Sequence, residues 1–204
     1  MTSPQAWGDA SVDMVFPMHG QTLPRDHAQA LQQALCAQWA WLGTDLLAGI
    51  HSVKVVPGSD EQALLSQRAR LLLRVSVRRV DELIALGGLD LVVEGHPLRL
   101  GVPHLRELQP YSTLYAYKVA ADSADEVTFM AAMGHELAEL AIDGERVCGK
   151  RQRLMVSGCA VDTFSLMLHA LSPEQSLRLQ QHGLGPHRLL GCGIFVPHKS
   201  AAAV

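Results

Sequence analysis

Gly183-Leu184-Gly185-Pro186-His187-Arg188-Leu189-Leu190-Gly191-Cys192-Gly193 is the stretch on which the reading of this chain turns. Two Gly-apolar-Gly triplets flank five residues, one of them an arginine, and the run passes straight into Ile194-Phe195-Val196. Glycine reaches positive φ and lets a backbone approach a neighbour closely. Two triplets around one cation predict backbone amides packed against a phosphate chain, with Arg188 adding charge. Ser172-Pro173-Glu174-Gln175 supplies an N-cap serine, proline at the first helical position and glutamine three after the cap, so a helix runs up to Gly183. Glycines that follow a helix and precede a strand reverse the dinucleotide-binding order and speak against that fold.

Upstream of this helix the pattern alternates. Residues 163–169 set Phe164, Leu166 and Leu168 against Ser165, Met167 and His169. Residues 146–156 read as strand, tight basic hairpin (Gly149-Lys150-Arg151-Gln152) and strand. Before them, Ser123-Ala124-Asp125-Glu126 reads as a capping box opening a helix with Val127, Ala131, Gly134, Leu137 and Ala141 inward. Residues 114–120 form a strand with Tyr115, Tyr117 and Val119 on one face. The order is β-α-β-β-α-β.

The first half repeats that order. Residues 11–18 alternate as a strand, and a helix over 25–42 carries the stripe Leu31, Leu35, Trp39, Leu42, headed by His27. Residues 49–56 are a second strand. The third, 63–76, puts Arg68, Arg70, Leu72 and Arg74 on one face and Ala69, Leu71, Leu73 and Val75 on the other. Val77, Val80, Leu83 and Ile84 mark a short helix, and 89–94 with 98–105 form a hairpin around Gly95-His96-Pro97. Pro103 and Pro110 bracket the boundary. The expected architecture is α+β: two tandem ferredoxin-like (RRM-like) units, 1–108 and 109–204, the second carrying the glycine-rich loop.

Composition bounds the function. Apolar residues at 48% and charged residues at 18% support a packed core. No apolar run approaches a membrane span and no secretory leader is read at the start, so a soluble cytoplasmic protein without a membrane partner is expected. The four cysteines show no C-x-x-C pairing and read as small buried hydrophobes. A net charge of −3 counts against a nucleic-acid partner, but the charge is segregated. Arg68, Arg70, Arg74, Arg78 and Arg79 cluster, and from Arg146 onward seven Lys/Arg face two acids.

The glycine-rich loop has the form Gly-apolar-Gly, five residues, Gly-apolar-Gly, and continues as Phe195-Val196-Pro197-His198-Lys199. In this it resembles the CRISPR-associated repeat-RNA endoribonucleases of the RAMP superfamily, in the branch described from myxobacterial-type CRISPR loci. The resemblance implies the duplicated ferredoxin-like plan across nearly the whole chain. It also implies binding of a CRISPR repeat stem-loop, metal-independent cleavage that leaves a 2′,3′-cyclic phosphate, and retention of the mature guide RNA, with other subunits of an effector complex as further partners. No cofactor is expected. A non-catalytic guide-RNA subunit of the same superfamily is the first alternative. A small-molecule-binding tandem ferredoxin-like protein is the second.

Cleavage by the substrate's own 2′-hydroxyl needs a base, an acid and a cation for the phosphorane charge. Ten histidines are present, with no H-x-H or H-E-x-x-H spacing, and G-x-S-x-G is absent. The resemblance places the catalytic histidine in or just after the first helix. His51 fits that placement, with Lys54 as its electrostatic partner, and His27 is the alternative. Each could equally be structural, His27 as a packed residue heading the helix stripe. The RNA contacts expected are Arg68, Arg70, Arg74, Lys150, Arg151, Arg153, Arg188 and the loop glycines Gly183, Gly185, Gly191 and Gly193. Tyr115 and Tyr117 could stack bases or serve as core and flank.

Overall fold

The computed structural model describes residues 10–85 and 87–198; Lys199 and the opening segment lie outside them. The chain divides into two compact units, Met1–Glu107 and Leu108–Val204.

The first unit opens with β1 (Ser11–His19) and the short β2 (Thr22–Pro24), followed by α1 (Ala28–Gln38) and a 3-10 turn at Ala40–Gly43. Next come β3 (Gly49–Ile50), β4 (Val56–Pro57), β5 (Gln62–Leu64), β6 (Arg70–Ser76) and α2 (Val80–Ala85). The unit ends with β7 (Asp90–Val93), β8 (His96–Leu100) and β9 (His104–Glu107). In the main sheet β1 is central: β6 pairs on one side and carries β3 beyond it, while β9 and β8 share the other side. The order β3-β6-β1-β9 is the ferredoxin-like arrangement of a βαββαβ unit, with the β7–β8 hairpin added before the last strand.

The expected α1 stripe is the core face: Leu31, Leu35, Trp39 and Leu42 are buried with Met14, Phe16, Met18, Leu71 and Leu73. Two expected strands are interrupted. The Ser66 hydroxyl accepts from Arg68 N at 3.3 Å and its carbonyl from Ala69 N at 2.9 Å, a serine turn that cuts residues 63–76 into β5 and β6. The second strand pairs with β6 only over Gly49–Ile50, and β4 leaves to join β5 and β2 in a small antiparallel sheet. The hairpin turns at Glu94-Gly95, both at positive φ, as a two-residue connection requires. The closing strand is β9.

The second unit is more regular: β10 (Leu114–Ala121), α3 (Glu126–Glu139), β11 (Glu145–Val156), β12 (Cys159–His169), α4 (Pro173–His182), a 3-10 turn at Arg188–Leu190, and β13 (Val196–Pro197). Its sheet runs β11-β12-β10-β13, the same ferredoxin-like order. Ser172 and Gln175 form the capping box of α4, with Pro173 in its first turn. The α3 cap is Asp125, which accepts from Thr128 N at 2.8 Å. The buried stripe of α3 is Phe129, Met133 and Leu137, packed on Leu114, Ala116, Phe164, Leu166 and Leu168. The stripe expected from Val127 is corrected: Val127 is 77% exposed, because the larger Phe and Met side chains one face round fill the core. The basic hairpin is corrected too. Residues 145–156 form one strand whose register slips between Cys148 and Arg151, and the turn is Ser157-Gly158, both at positive φ. Of the cysteines only Cys192 is fully buried, and Cys159 is exposed.

Candidate active site

Asp13 lies on the central strand of the first sheet, directly opposite Arg74 of β6 on one side and Arg106 of β9 on the other. Opposed residues of antiparallel strands point to one face. Met14 and Phe16 take the other face, where Phe16 meets Trp39, next to α1, at 6.0 Å between ring centroids. The Asp13 group therefore sits on the face of the sheet opposite Phe16 and Trp39. His51 follows β3, its backbone N donating to Leu72 O at 3.0 Å, and its ring reaches the same carboxylate.

Asp13 is 1% exposed and accepts from every neighbour. Its Oδ1 takes Arg74 Nε at 2.9 Å and His51 Nε2 at 3.1 Å. Its Oδ2 takes Arg74 Nη2 at 3.2 Å and Arg106 Nη2 at 2.6 Å. Burial alone would push the Asp13 carboxyl up, but the His51 hydrogen bond and the neighbouring positive charges outweigh it and hold Asp13 far below the usual carboxylate range. His51 moves down from its ordinary value, chiefly through burial, with the charges of Arg74 and Arg106 adding to the shift and Asp13 opposing it. An ionised carboxylate only accepts, so His51 Nε2 carries the proton and the neutral ring presents Nδ1 as its basic nitrogen.

Other expected residues are placed as follows. Lys54 is exposed in the connection between β3 and β4. His27 is the half-buried N-cap residue of α1, its Nδ1–H donating to Pro24 O at 3.1 Å. Arg68 lies exposed in the Ser66 turn and Arg70 is exposed at the start of β6. Arg74 is corrected as a phosphate contact: at 1% exposure its guanidinium is held by Asp13. Lys150 stands exposed at the β11 bulge, while Arg151 and Arg153 share Asp162 at 2.9 and 3.7 Å. Tyr115 and Tyr117 meet edge to face at 4.9 Å, and His198 packs on Tyr115 at 5.4 Å. Tyr117 is 57% exposed, on the face of the second sheet away from the core. Among the described residues no three His, Cys, Asp or Glu side chains gather as a metal-ligand group.

The glycine-rich loop folds onto itself. Arg188 is 9% exposed and turns back to α4, donating to His182 O and, at 3.0 Å, to Gln181 O. A cation on the last carbonyls of a helix satisfies orphan acceptors and suits the helix dipole. This corrects Arg188 as a phosphate ligand. The amide cradle is corrected with it. Gly185 N donates to Glu136 Oε2 at 2.7 Å, Gly193 N to Lys118 O at 2.7 Å, Gly191 N to Arg188 O at 3.1 Å and Gly183 N to Leu179 O at 2.8 Å. Glycine is required for packing: a Cβ on Gly193, at φ +65°, would meet Leu184 O, and one on Gly183 would meet Arg188 Nη1 and Gly193 O. Gly193→Ala should destabilise the fold by about 2–5 kcal/mol, overpacking added to left-handed strain. Gly95→Ala, at φ +82° with nothing within 4 Å, should lose only the strain. Urea denaturation of the two variants checks the difference, and equal midpoints would contradict the packing role.

Sequence reasoning missed the Asp13–Arg106 pair because it depends on the register of strands far apart in the chain. The signal available was an aspartate inside an apolar strand, which needs a buried partner.

Comparison with known proteins bears on this geometry. Residues 12–200 match the family described as Cas6 Crispr. A curated relative, the CRISPR-associated endonuclease Cas6 of Myxococcus xanthus (strain DK1622), is 36% identical over 201 residues, covering 97% of this chain and 87% of that protein. Among solved structures, a CRISPR associated protein Cas6 superposes with a TM-score of 0.68 at 10% identity, covering 93% of this chain and 100% of the other. A RAMP protein binding different RNA substrates gives a TM-score of 0.61 at 12% identity, covering 91% and 98%. At such identities the solved structures carry the fold alone.

Proposed function

The chain belongs to the Cas6 CRISPR family, and from that premise we propose that it is the endoribonuclease that processes CRISPR precursor RNA at a repeat stem-loop. The observation that carries the proposal inside the family is the His51–Asp13 pair on the first sheet. Neutral His51 accepts the 2′-hydroxyl proton on Nδ1. The 2′ oxygen forms a bond to the adjacent phosphorus as the P–O5′ bond breaks. The 5′ oxygen takes a proton from water, the hydroxide left behind takes the proton from His51, and the products are a 2′,3′-cyclic phosphate and a 5′-hydroxyl. No metal enters this scheme, and Lys54 neutralises charge at the phosphate. Bound product would serve as the guide RNA within a larger complex.

Binding rests on exposed cations: Arg68, Arg70, Lys150, Arg151 and Arg153. Tyr117, half exposed beside Tyr115, offers a face for an unpaired base. The test is a hairpin repeat RNA incubated with the protein, with and without EDTA. Gel shift and a cleaved band are both expected, unchanged by chelator; a shift without cleavage favours the non-catalytic alternative, and no shift overturns RNA binding. Affinity should fall linearly in log K against log salt, and Arg70→Ala or Lys150→Ala should each lower the slope by about one. Arg188→Ala should leave the slope unchanged and loosen the α4 terminus. A flat salt dependence in the intact protein would contradict the phosphate-contact reading.

A further inference from the structure

We infer that Arg106 is a second catalytic residue, a phosphate-binding guanidinium set beside the His51 base by the shared carboxylate of Asp13. The inference rests on the reading of His51 as the base. Asp13 Oδ2 holds Arg106 Nη2 at 2.6 Å and Asp13 Oδ1 holds His51 Nε2 at 3.1 Å, so one buried carboxylate fixes both groups. Arg106 is the most exposed of the three cationic or basic partners. Its side chain is 52% exposed, against 10% for His51 and 1% for Arg74.

Charge and donor count point the same way. One carboxylate faces two guanidiniums, Arg74 and Arg106, with His51 neutral, so the cluster keeps a net positive charge. Arg74 is turned inward and buries its charge against Asp13. Arg106 gives Asp13 one nitrogen, and a guanidinium carries five N–H donors in a fixed fork matched to phosphate oxygens. The residues facing His51 are Asp13 from β1, Arg74 from β6 and Arg106 from β9. A cation fixed here stabilises the charge that develops on the non-bridging oxygens as the 2′ oxygen adds to phosphorus, which is where such donors act most strongly. Asp13 is then a positioning residue: it sets the His51 tautomer and aims the Arg106 fork.

The experiment measures single-turnover cleavage of hairpin repeat RNA across the histidine pH range, and affinity for the same RNA with a 2′-deoxy nucleotide at the cut. The proteins are wild type, Arg106→Gln, Arg106→Ala, Arg106→Lys and His51→Ala. Arg106→Gln still donates to Asp13 but lacks charge. It and Arg106→Ala should lose about 10²–10³-fold in plateau rate, the scale of one lost transition-state donor, with affinity for the deoxy RNA almost unchanged. The Arg106 charge lowers the His51 pKa, so its removal should move the acid limb of the rate profile to higher pH. Arg106→Lys should leave the limb in place. A wild-type rate in Arg106→Gln, a rate loss matched by affinity loss, or a slower rate with an unmoved limb would each overturn the inference. A wild-type rate in His51→Ala would instead overturn the base on which it rests.

Discussion

His51→Ala should lower the single-turnover cleavage rate by about two to four orders of magnitude, the range for a lost general base, while RNA affinity stays almost unchanged. The separation follows from the geometry. His51 is 10% exposed and bound to Asp13, so it offers the RNA one nitrogen and no charge. In the proposed function binding rests elsewhere, on exposed cations such as Arg70 and Lys150. The pH dependence has a definite sign. A base works only when unprotonated, so the rate should rise with pH and level off once His51 is neutral. Because burial lowers the His51 pKa, that rise should fall below the ordinary histidine range. His27→Ala should cleave at close to the wild-type rate, since the His27 ring is engaged by Pro24 at the start of α1. Loss of activity in His27→Ala with retention in His51→Ala would move the base to the helix and detach it from the Asp13 cluster.

The second large effect is on stability. Asp13→Ala should destabilise the first unit by about 3–5 kcal/mol, the cost of removing one partner from a buried ion pair. The variant leaves Arg74 at 1% exposure with its carboxylate gone, in the middle of the sheet between β1 and β6. Arg106→Ala, by contrast, leaves Asp13 with Arg74 and His51, and its own side chain was half in water, so its effect on stability should be much smaller. The same cluster gives the fold an acid-sensitive window. Asp13 and His51 both have folded pKa values below their unfolded ones, so both stabilise above the unfolded pKa and lose that contribution as pH falls. Stability should therefore decline from about pH 6.5, where an unfolded histidine begins to bind protons, and decline further below about pH 4. Urea titrations of wild type and Asp13→Ala at neutral and acid pH check both claims. Equal midpoints at neutral pH would contradict the role given to Asp13.

Much of the fold was legible because local chemistry and long-range packing agree. The α1 stripe, the α4 capping box and the alternation of β12 each point to one structure, and both units take the ferredoxin-like order. The misreadings share a cause: a local signal was outweighed by one not yet counted. The Ser66 turn breaks an apparently continuous strand, and Ser157-Gly158 makes a better hairpin than Gly149-Lys150. In α3, Val127 and Ala131 keep helical spacing, but Phe129 and Met133 bring more apolar surface to the core. Of the proposed site, the sequence offered His51 and Lys54 through a resemblance and Arg74 as an RNA contact, whereas the joining of Asp13, Arg74 and Arg106 depends on three strands far apart in sequence. Arg188 was misassigned because the same glycines that suggest a phosphate cradle also let a loop turn back and cap its own helix.

In the proposed function the RNA supplies its own nucleophile to a protein base. The most direct measurement compares intact repeat hairpin RNA with the same RNA carrying one 2′-deoxy nucleotide immediately before the cut, under single-turnover conditions. The deoxy RNA should bind with nearly the affinity of the intact strand and resist cleavage, whereas the intact strand should yield a 2′,3′-cyclic phosphate end. Cleavage of the deoxy RNA at a comparable rate would contradict that mechanism.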